Sequence, residues 1–337
     1  MTSKTPAVPN SPLPAETGAD TSAGVPQKLA ALVTAYHPDD RLPATVAAAL
    51  EHVDEVIVVD NTPGGSPLAA GLAERPGVRV LGAAENLGLA AALNLGLGEL
   101  SAGVEAVFFL DQDTVLSADL VPRLARHLAD PTIAVAAPTA WDAVHDAPYR
   151  AFGEHGKELA DKEIVITSGM LVRRAVLASI GGFREDFFVD YVDLDFCLRV
   201  RAAGGRLVED KLLKMAHSIG ERREHRFLGI KVLVVHHAAW RQYWMARNGT
   251  ILIREHLRRN PKWAVTNTLF LARWSVVTAL FAEQRGAKTT ALLRGFRDGF
   301  TGRVTMAYLP AGARYRGAGA NAAGVQQEEG ERAASEA

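Results

Sequence analysis

Short apolar runs alternate with helix-like segments through the first half of the chain. The runs lie at residues 29–36, 55–61, 78–81 and 106–113. They are rich in Val, Ile, Leu and Phe and recur about every 25 residues, which is the length of one strand–helix unit. Between them, residues 42–53 and 87–100 are rich in Ala and Leu with helical periodicity. The alternation predicts an α/β protein with a mostly parallel sheet flanked by helices.

Polar side chains stand where these runs end. They are Thr34, Asp60, Asn86, Asp111 and Asp113. In an open α/β sheet the carboxyl edge of the strands is where ligands bind, so these side chains indicate a site. In "VFFLDQDTVL", strand alternation would point both acids to the same side, where they could share one cation. A strand that runs into a polar turn is the alternative interpretation of this stretch.

Two of the other strand ends also have a local explanation. Asp60 and Asn61 could begin a turn before Pro63, because short Asx side chains hydrogen-bond nearby backbone. Asn86 could cap the helix that follows it. Capping and ligand contact are compatible at Asn86, and both stay open.

Composition narrows the class of protein. The 337 residues carry a formal net charge of −1, which argues against a nucleic-acid partner. The single cysteine, Cys197, cannot form an internal disulfide, so a cytoplasmic, reducing location is expected. Residues 1–27 contain five prolines and no signal-peptide core, which predicts a disordered extension. The Gly/Ala/Glu-rich residues 311–337 predict a disordered tail.

The common glycine-rich nucleotide cradles are missing from the sequence. No G-x-G-x-x-G follows the first strand and no G-x-x-x-x-G-K-[ST] occurs, which argues against dinucleotide oxidoreductases and P-loop enzymes. A nucleotide would instead be held by side chains and a divalent cation. Two carboxylates with Mg²⁺ or Mn²⁺ would offset the charge of a diphosphate.

Several motifs occur in an order that resembles a known family. "VTAYHPD", "VIVVDNTP", "ENLGLAAALNLGL", "FFLDQDT" and "TSGMLVRRAVLASIGGFREDFFVDYVDLDFCLRVRAAGG" resemble the inverting nucleotide-sugar glycosyltransferases of the GT-A fold, over residues 29–250. Within that family the chain is most similar to bacterial rhamnosyltransferases. The resemblance implies a GT-A domain over residues 28–250, followed by a basic, aromatic helical appendage over residues 251–310.

The resemblance also implies roles for individual residues. Contacts to the nucleoside and ribose would be made by Thr34, Asp60, Asn86 and Asp111. Asp113 would ligate Mg²⁺ or Mn²⁺, and His217 would complete the metal site. His236 and His237, with Arg241, Arg247 and Asn248 nearby, are weaker candidates for contacts to the phosphates or the acceptor.

The catalytic base is expected in "DFFVDYVDLDFCLRVRAAGG". Apolar residues after Leu194 share a broad helical face and Gly204–Gly205 ends it, so Asp193 falls at the start of a helix. The helix N-terminus would keep its carboxylate ionised. The family often has Glu-Asp where this chain has Val192-Asp193. Asp190 therefore stays a rival for the role.

The net charge and the pattern of aromatic residues change beyond residue 250. Residues 254–303 hold ten Lys or Arg and three Asp or Glu, a net charge of +7. A helical stripe is predicted there, formed by Trp263, Phe270, Trp274, Val277 and Phe281. Two interpretations stay open: the stripe lies on anionic lipid at the cytoplasmic membrane, or it packs within the chain or against a second copy in a homo-oligomer.

The expected activity is metal-dependent, inverting transfer of L-rhamnose from dTDP-L-rhamnose to a glycan or lipid-linked acceptor of the cell envelope. The nearest rival is a galactofuranosyl or other hexosyl transferase that uses a UDP-sugar. A sugar-nucleotide pyrophosphorylase is disfavoured because the loop "AYHPDDRLP" after the first strand lacks glycine. A catalytically inactive scaffold is disfavoured because Asp113 and Asp193 are both present.

Overall fold

The computed structural model describes residues 24–142, 147–148, 158–216, 222–227, 230–235 and 237–317. The first half contains, in chain order, β1 (Leu29–Ala35), α1 (Arg41–Leu50), β2 (Glu55–Asp60), α2 (Pro67–Ala70), β3 (Val78–Gly82), α3 (Leu89–Gly98) and β4 (Ala106–Asp111). These four strands and the helices α1 and α3 occupy the segments that the hydrophobic pattern predicted. Strands β1, β2 and β4 are buried along almost their whole length, as strands covered on both faces must be.

The second half completes a larger mixed sheet. Its elements are α4 (Leu120–His127), β5 (Ile133–Asp142), β6 (Ala147–Pro148), β7 (Leu159–Lys162), β8 (Leu171–Arg173), α5 (Arg174–Ile180), α6 (Val192–Ala202) and β9 (Arg206–Ala216). The strand order is β3-β2-β1-β4-β8-β5-β9-β7, and β6 pairs with β5. The pairs among β1 to β4 are parallel, whereas β8 runs antiparallel to both β4 and β5. Two apolar clusters made of strand and helix residues lie on the two faces of the sheet.

The register of the first strands brings the polar strand ends to one edge. Thr34 in β1 lies opposite Asp111 in β4, and Ala35 lies opposite Asp60 in β2. Because the strands are parallel, their carboxyl ends meet at the same edge. The sheet therefore gathers three of the predicted site residues into one neighbourhood.

A hairpin and three helices complete the described chain. They are β10 (Arg222–Phe227), β11 (Ile230–Val235), α7 (Ala239–His256), α8 (Pro261–Phe281) and α9 (Arg285–Thr301). Helix α7 packs against both α8 and α9. It also runs without interruption across residue 250, so the domain boundary predicted there falls inside a helix. The increase in positive charge beyond residue 250 suggested the boundary. It reflects the composition of the C-terminal helices and does not coincide with the end of a helix.

The predicted start of the C-terminal tail also differs from the structure. Residues 311–317 lie against the catalytic half: Asn86 N donates to Gly312 O at 2.8 Å, and Arg314 N donates to Asn86 O at 2.9 Å. Tyr315 is buried beside Trp244. Backbone pairing with a distant segment orders these residues, although their composition alone predicts disorder.

The predicted aromatic stripe on α8 is corrected in part. Trp263 is buried, and Trp274 donates its indole N–H to Gln242 Oε1 at 2.7 Å while stacking on His237. Phe270 is exposed. The two tryptophans therefore stabilise packing on α7 instead of facing outward. For Trp274 this side offers both a surface to pack against and an acceptor for its indole N–H.

Candidate active site

The end of β4 is fixed by a loop that precedes β8. Asp111 N donates to Ser168 Oγ at 3.0 Å, and the hydroxyls of Ser168 and Thr114 lie 3.0 Å apart. Gly169 N donates to Phe109 O at 2.7 Å. These bonds fix the backbone on which Asp111 and Asp113 stand, so both carboxylates project from an ordered strand end.

Asp60 organises the turn that follows β2. Its buried carboxylate accepts from Thr62 N at 3.1 Å and from Ser66 N at 2.5 Å. Each carboxylate oxygen thus has a backbone donor, which is the arrangement that the turn interpretation predicted. The nucleoside contact expected at Asp60 stays a prediction, and the turn holds its side chain beside the end of β1.

Asn86 joins three segments but is not the residue that caps the next helix. Its Oδ1 accepts from Asn61 Nδ2 and from Gly88 N, both at 2.9 Å. The cap of α3 is Gly88, whose φ of +78° suits glycine. Asn86 instead links the turn after β2, the entry to α3 and the 311–317 segment.

Gly88 permits a close approach between the two halves of the site. Leu89 N donates to Phe188 O at 2.7 Å, and a Cβ at residue 88 would meet the Phe188 ring at 2.6 Å. Only a residue without a side chain fits this contact. The strand-end cluster is thereby tied to the loop that leads into α6.

Asp113 lies partly exposed at the strand end and is paired with a cation. Arg41 Nη1 lies 3.0 Å from Asp113 Oδ2, and the same guanidinium also binds Asp39. Hydrogen bonds from Arg41 lower the pKa of Asp39 to about 2. The position of Asp113 therefore attracts positive charge from the first residue of α1.

The described residues fit a divalent cation that a diphosphate helps to hold. Asp111 and Asp113 supply oxygen ligands, which Mg²⁺ and Mn²⁺ prefer, and such ions are commonly bound by one or two carboxylates plus substrate phosphates. Within the described part of the chain, no group of three or more His, Cys, Asp or Glu side chains is arranged around a metal position. His217, the further predicted ligand, lies outside the described residues.

Asp193 stands in the first turn of α6, as the sequence predicted. Its Oδ1 accepts from Leu194 N at 2.9 Å. Burial raises the pKa of Asp193 to about 6, a change that the hydrogen bond from Leu194 opposes and the charges of Asp190 and Asp111 reinforce. The helix N-terminus therefore does not keep this carboxylate at its ordinary acidity, because the loss of water outweighs it.

This perturbation suits a proton acceptor. A carboxylate with a pKa near 6 is ionised at neutral pH yet binds a proton more readily than an ordinary aspartate does. Among the described residues, no Lys or Arg forms an ion pair with Asp193. The influence of Asp111 on its pKa also links α6 electrostatically to the end of β4.

Asp190 differs from Asp193 in its partner. Arg241 binds it through two guanidinium nitrogens, with Nε at 3.0 Å from Oδ2 and Nη2 at 2.8 Å from Oδ1. A bidentate pair of this kind occupies both oxygens of the Asp190 carboxylate and holds them against the guanidinium of Arg241. The structure thus gives the two rivals different environments, and Asp193 has the one that favours a base.

The backbone before α6 is held in an unusual conformation. Asp190 and Tyr191 have φ values of +57° and +66°, which residues with a side chain adopt at a cost. Asn248 Nδ2 donates to Val189 O and Asp190 O at 2.9 and 3.1 Å, and Arg247 Nη1 donates to Asp186 O at 2.9 Å. Asn248 and Arg247 are buried and hold the backbone of this loop. In the structure these two candidates therefore support the loop before α6.

The remaining histidine candidates are not gathered into the cluster by the described contacts. His237 stacks on Trp274 with ring centroids 5.9 Å apart. His236 lies outside the described residues. Sequence reasoning missed the ion pair of Arg41 with Asp113 and the support from Ser168. The only signals were a basic residue shortly after β1 and a polar pair before β8.

Comparison with known proteins identifies the domain that carries this site. Residues 31–178 match the family model described as glycosyl transferase family 2. The chain contains a glycosyltransferase family 2 domain. The chain is also 27% identical over 242 residues to the dTDP-rhamnosyl transferase RfbF of Shigella flexneri, with 67% of this chain and 80% of the relative covered. It is a glycosyltransferase, as the resemblance predicted.

Solved structures confirm the predicted GT-A fold. The mannosyltransferase PcManGT from Pyrobaculum calidifontis, solved with GDP-Man and Mn²⁺, gives a TM-score of 0.52 at 16% identity, with 82% of this chain and 88% of that chain covered. GalNAc-T7, solved with UDP, GalNAc and Mn²⁺, gives a TM-score of 0.50 at 12% identity. That match covers 68% of this chain and spans only 48% of GalNAc-T7.

Proposed function

We propose that this glycosyltransferase moves L-rhamnose from dTDP-L-rhamnose to a glycan or lipid-linked acceptor of the cell envelope, with inversion at the anomeric carbon and with a divalent metal. The observation that carries the proposal is the environment of Asp193, a partly buried carboxylate in the first turn of α6 whose pKa is raised to about 6. The similarity to a dTDP-rhamnosyl transferase supports the donor.

The donor nucleotide would lie along the edge formed by the ends of β1, β2 and β4. Thr34 lies in register with Asp111, and Asp60 ends the neighbouring strand. Thr34, Asp60, Asn86 and Asp111 are the proposed contacts to the nucleoside and ribose. Side chains and backbone of the fixed turns take the place of a glycine-rich cradle.

The metal, Mg²⁺ or Mn²⁺, would be held by Asp113 with Asp111 nearby and His217 as a further proposed ligand. It would supply positive charge that stabilises the negative charge on the leaving diphosphate. Two solved structures of this fold contain Mn²⁺ with a nucleotide or nucleotide-sugar. For Asp113 to ligate the metal through Oδ2, the guanidinium of Arg41 must give up its contact at 3.0 Å.

The chemistry of this chain's own residues is a single proton transfer coupled to one displacement. Asp193 accepts the proton of the acceptor hydroxyl while that oxygen forms a bond to the anomeric carbon. The bond from this carbon to the diphosphate oxygen breaks on the opposite face, and the nucleoside diphosphate leaves with its electron pair. Asp193 then returns its proton to water. Attack opposite the leaving group inverts the anomeric configuration.

Asp190 has a positioning role in this scheme. Its bidentate pair with Arg241 and the bonds of Asn248 fix the left-handed turn directly before Asp193. A base must stand within hydrogen-bond reach of the proton that it removes, so an error in this turn would slow the transfer.

A donor panel tests the proposal. The purified chain is incubated with Mn²⁺, a short glycan acceptor and dTDP-L-rhamnose, a UDP-hexose or GDP-mannose in turn, and the released nucleoside diphosphate is measured. Release from dTDP-L-rhamnose, with an inverted anomeric configuration in the NMR spectrum of the product, is the expected result. Preference for a UDP-sugar would show that dTDP-L-rhamnose is not the donor. A product of retained anomeric configuration would overturn the displacement scheme.

A further inference from the structure

Helix α8 exposes a row of apolar side chains on the side away from its packing partners. Ala264, Leu271 and Thr278 are buried on the packed side. The exposed row consists of Val265 (55% exposed), Leu269 (65%), Val276 (58%) and Leu280 (54%). Spacings of four, seven and four residues place these four on one helical face. Single exposed apolar residues are ordinary, but a row of four forms a patch that indicates an interaction surface.

The hydropathy of α8 is consistent with an exposed surface that becomes buried when the protein binds a partner. Within the described chain, it is the one helix long and apolar enough to cross a membrane, with a mean hydropathy of 1.3 and 17% burial over its most apolar window. Yet its packed side lies against α7 and α9, which belong to the folded protein. A helix attached along one side in this way can rest on a bilayer along its exposed side.

Cationic side chains interrupt the apolar rows at matching positions. Arg273 follows Leu269 by four residues and is exposed on the same face of α8. Helix α9 repeats the pattern, because the exposed Leu293 and Phe300 flank the exposed Arg297. Residues 254–303 carry a net charge of +7. An arginine among apolar residues can keep its stem against the apolar region and its guanidinium at an anionic head group.

The positive charge of this segment indicates which partner covers the exposed rows, a lipid surface or a second copy of the chain. Two copies joined through these rows would bring segments with a net charge of +7 together, and juxtaposed like charges oppose association. An anionic bilayer offers the opposite charge and an apolar layer beneath it. Charge complementarity therefore favours the membrane as the occupant of this face.

We propose that the exposed rows of α8 and α9 dock the enzyme onto an anionic lipid surface. The apolar side chains of both helices enter the boundary between head groups and acyl chains, and Arg273 and Arg297 contact lipid phosphates. Trp263 and Trp274 of the predicted aromatic stripe pack within the fold and are not part of this surface. The proposal rests on the surface of the helices and requires no particular donor sugar.

Co-sedimentation of the full chain with vesicles tests the apolar part of the surface. The vesicles contain equal parts of phosphatidylglycerol and phosphatidylcholine. The Leu269→Ser, Leu280→Ser double variant should lower the vesicle partition coefficient roughly tenfold, because each change removes an exposed leucine from the lipid-facing row. Leu212→Ser is the matched control, since Leu212 is a 59% exposed residue of β9 and its loss should leave binding unchanged.

A second pair of variants tests the charged part. Arg273→Gln with Arg297→Gln should also lower binding to the anionic vesicles roughly tenfold and leave the weak binding to pure phosphatidylcholine unchanged. Added salt should lower the binding of the parent and affect this variant less. Equal binding of parent and both double variants, with unchanged melting temperatures, would overturn the proposal.

The oligomeric state and the activity complete the test. Sedimentation equilibrium should find the same mass for the parent and the serine variant, and a dimer that only the serine variant loses would assign the face to a second copy instead. Both double variants should retain nucleoside diphosphate release with a water-soluble acceptor. If the variants lose vesicle binding and keep glycosyl transfer, the result supports docking on lipid. If the parent itself is inactive, that result counts against the proposed function and not against docking.

Discussion

Replacing Asp193 with asparagine should make the protein more stable at alkaline pH. The side chain accepts a hydrogen bond from Leu194 N at 2.9 Å, and the amide oxygen of asparagine can keep it. What the substitution removes is a charge in a site that burial and two neighbouring carboxylates make unfavourable. The ionised carboxylate of Asp193 is thus expected to lower the free energy of unfolding of the donor-free enzyme.

The magnitude follows from the difference in pKa between the folded and unfolded states. Burial raises the pKa of Asp193 from 3.8 to about 6. Since one pKa unit corresponds to about 1.4 kcal/mol, the ionised carboxylate lowers the free energy of unfolding by about 3 kcal/mol. The folded state binds the proton more tightly, so this loss is absent below pH 3.8, grows as pH rises, and is complete above pH 6. Near pH 4.5 it amounts to about 1 kcal/mol.

Urea unfolding of the donor-free enzyme measures the effect. Asp193→Asn should raise the free energy of unfolding by about 3 kcal/mol at pH 8 and by about 1 kcal/mol near pH 4.5. Asp119→Asn, a change at an exposed carboxylate, serves as the control and should have little effect at either pH. An Asp193→Asn variant that is no more stable than the parent at pH 8 would refute the raised pKa of Asp193.

Three further substitutions address the metal and the pair beside the base. Asp113→Ala should abolish metal-dependent donor binding in calorimetry while the melting temperature stays close to that of the parent, and undiminished Mn²⁺-dependent binding would contradict the ligand role. Arg41→Ala should tighten Mn²⁺ binding to the donor-free protein severalfold, since Asp113 loses a competing cation 3.0 Å away; weaker binding, measured by electron paramagnetic resonance, would show that Arg41 does not compete. Arg241→Gln removes the partner of Asp190, whose charge then raises the pKa of Asp193 further. The ascending limb of kcat/KM should therefore move to higher pH, and a limb that stays in place would argue against coupling.

The sequence was sufficient for those parts of the fold that local pattern determines. The apolar runs that became β1, β2 and β4 are recognisable because each forms an almost wholly buried strand, and the half-exposed β3 because its run continues the same spacing. Asp193 was assigned to a helix start because an apolar face follows it and Gly204–Gly205 ends that face. Both inferences depend on neighbours within a dozen residues.

Contacts between distant segments were beyond such reasoning. Arg41 and Asp113 are 72 residues apart, and the pairing of Asn86 with Gly312 and Arg314 joins the first half of the chain to its last described segment. The sequence left the direction of the aromatic stripe on α8 open, because apolar residues occur on all sides of that helix. The burial of Trp263, Leu271 and Thr278 shows which side packs against the rest of the fold.

The proton acceptor is the central claim, and turnover of two isosteric variants tests it most directly. Asparagine cannot accept the proton, so Asp193→Asn should lower kcat by roughly a hundredfold or more while donor affinity, measured separately by calorimetry, changes little. Asp190→Asn should keep more activity, because Arg241 already holds that carboxylate in an ion pair. An active Asp193→Asn enzyme together with an inactive Asp190→Asn enzyme would show that the two roles are reversed.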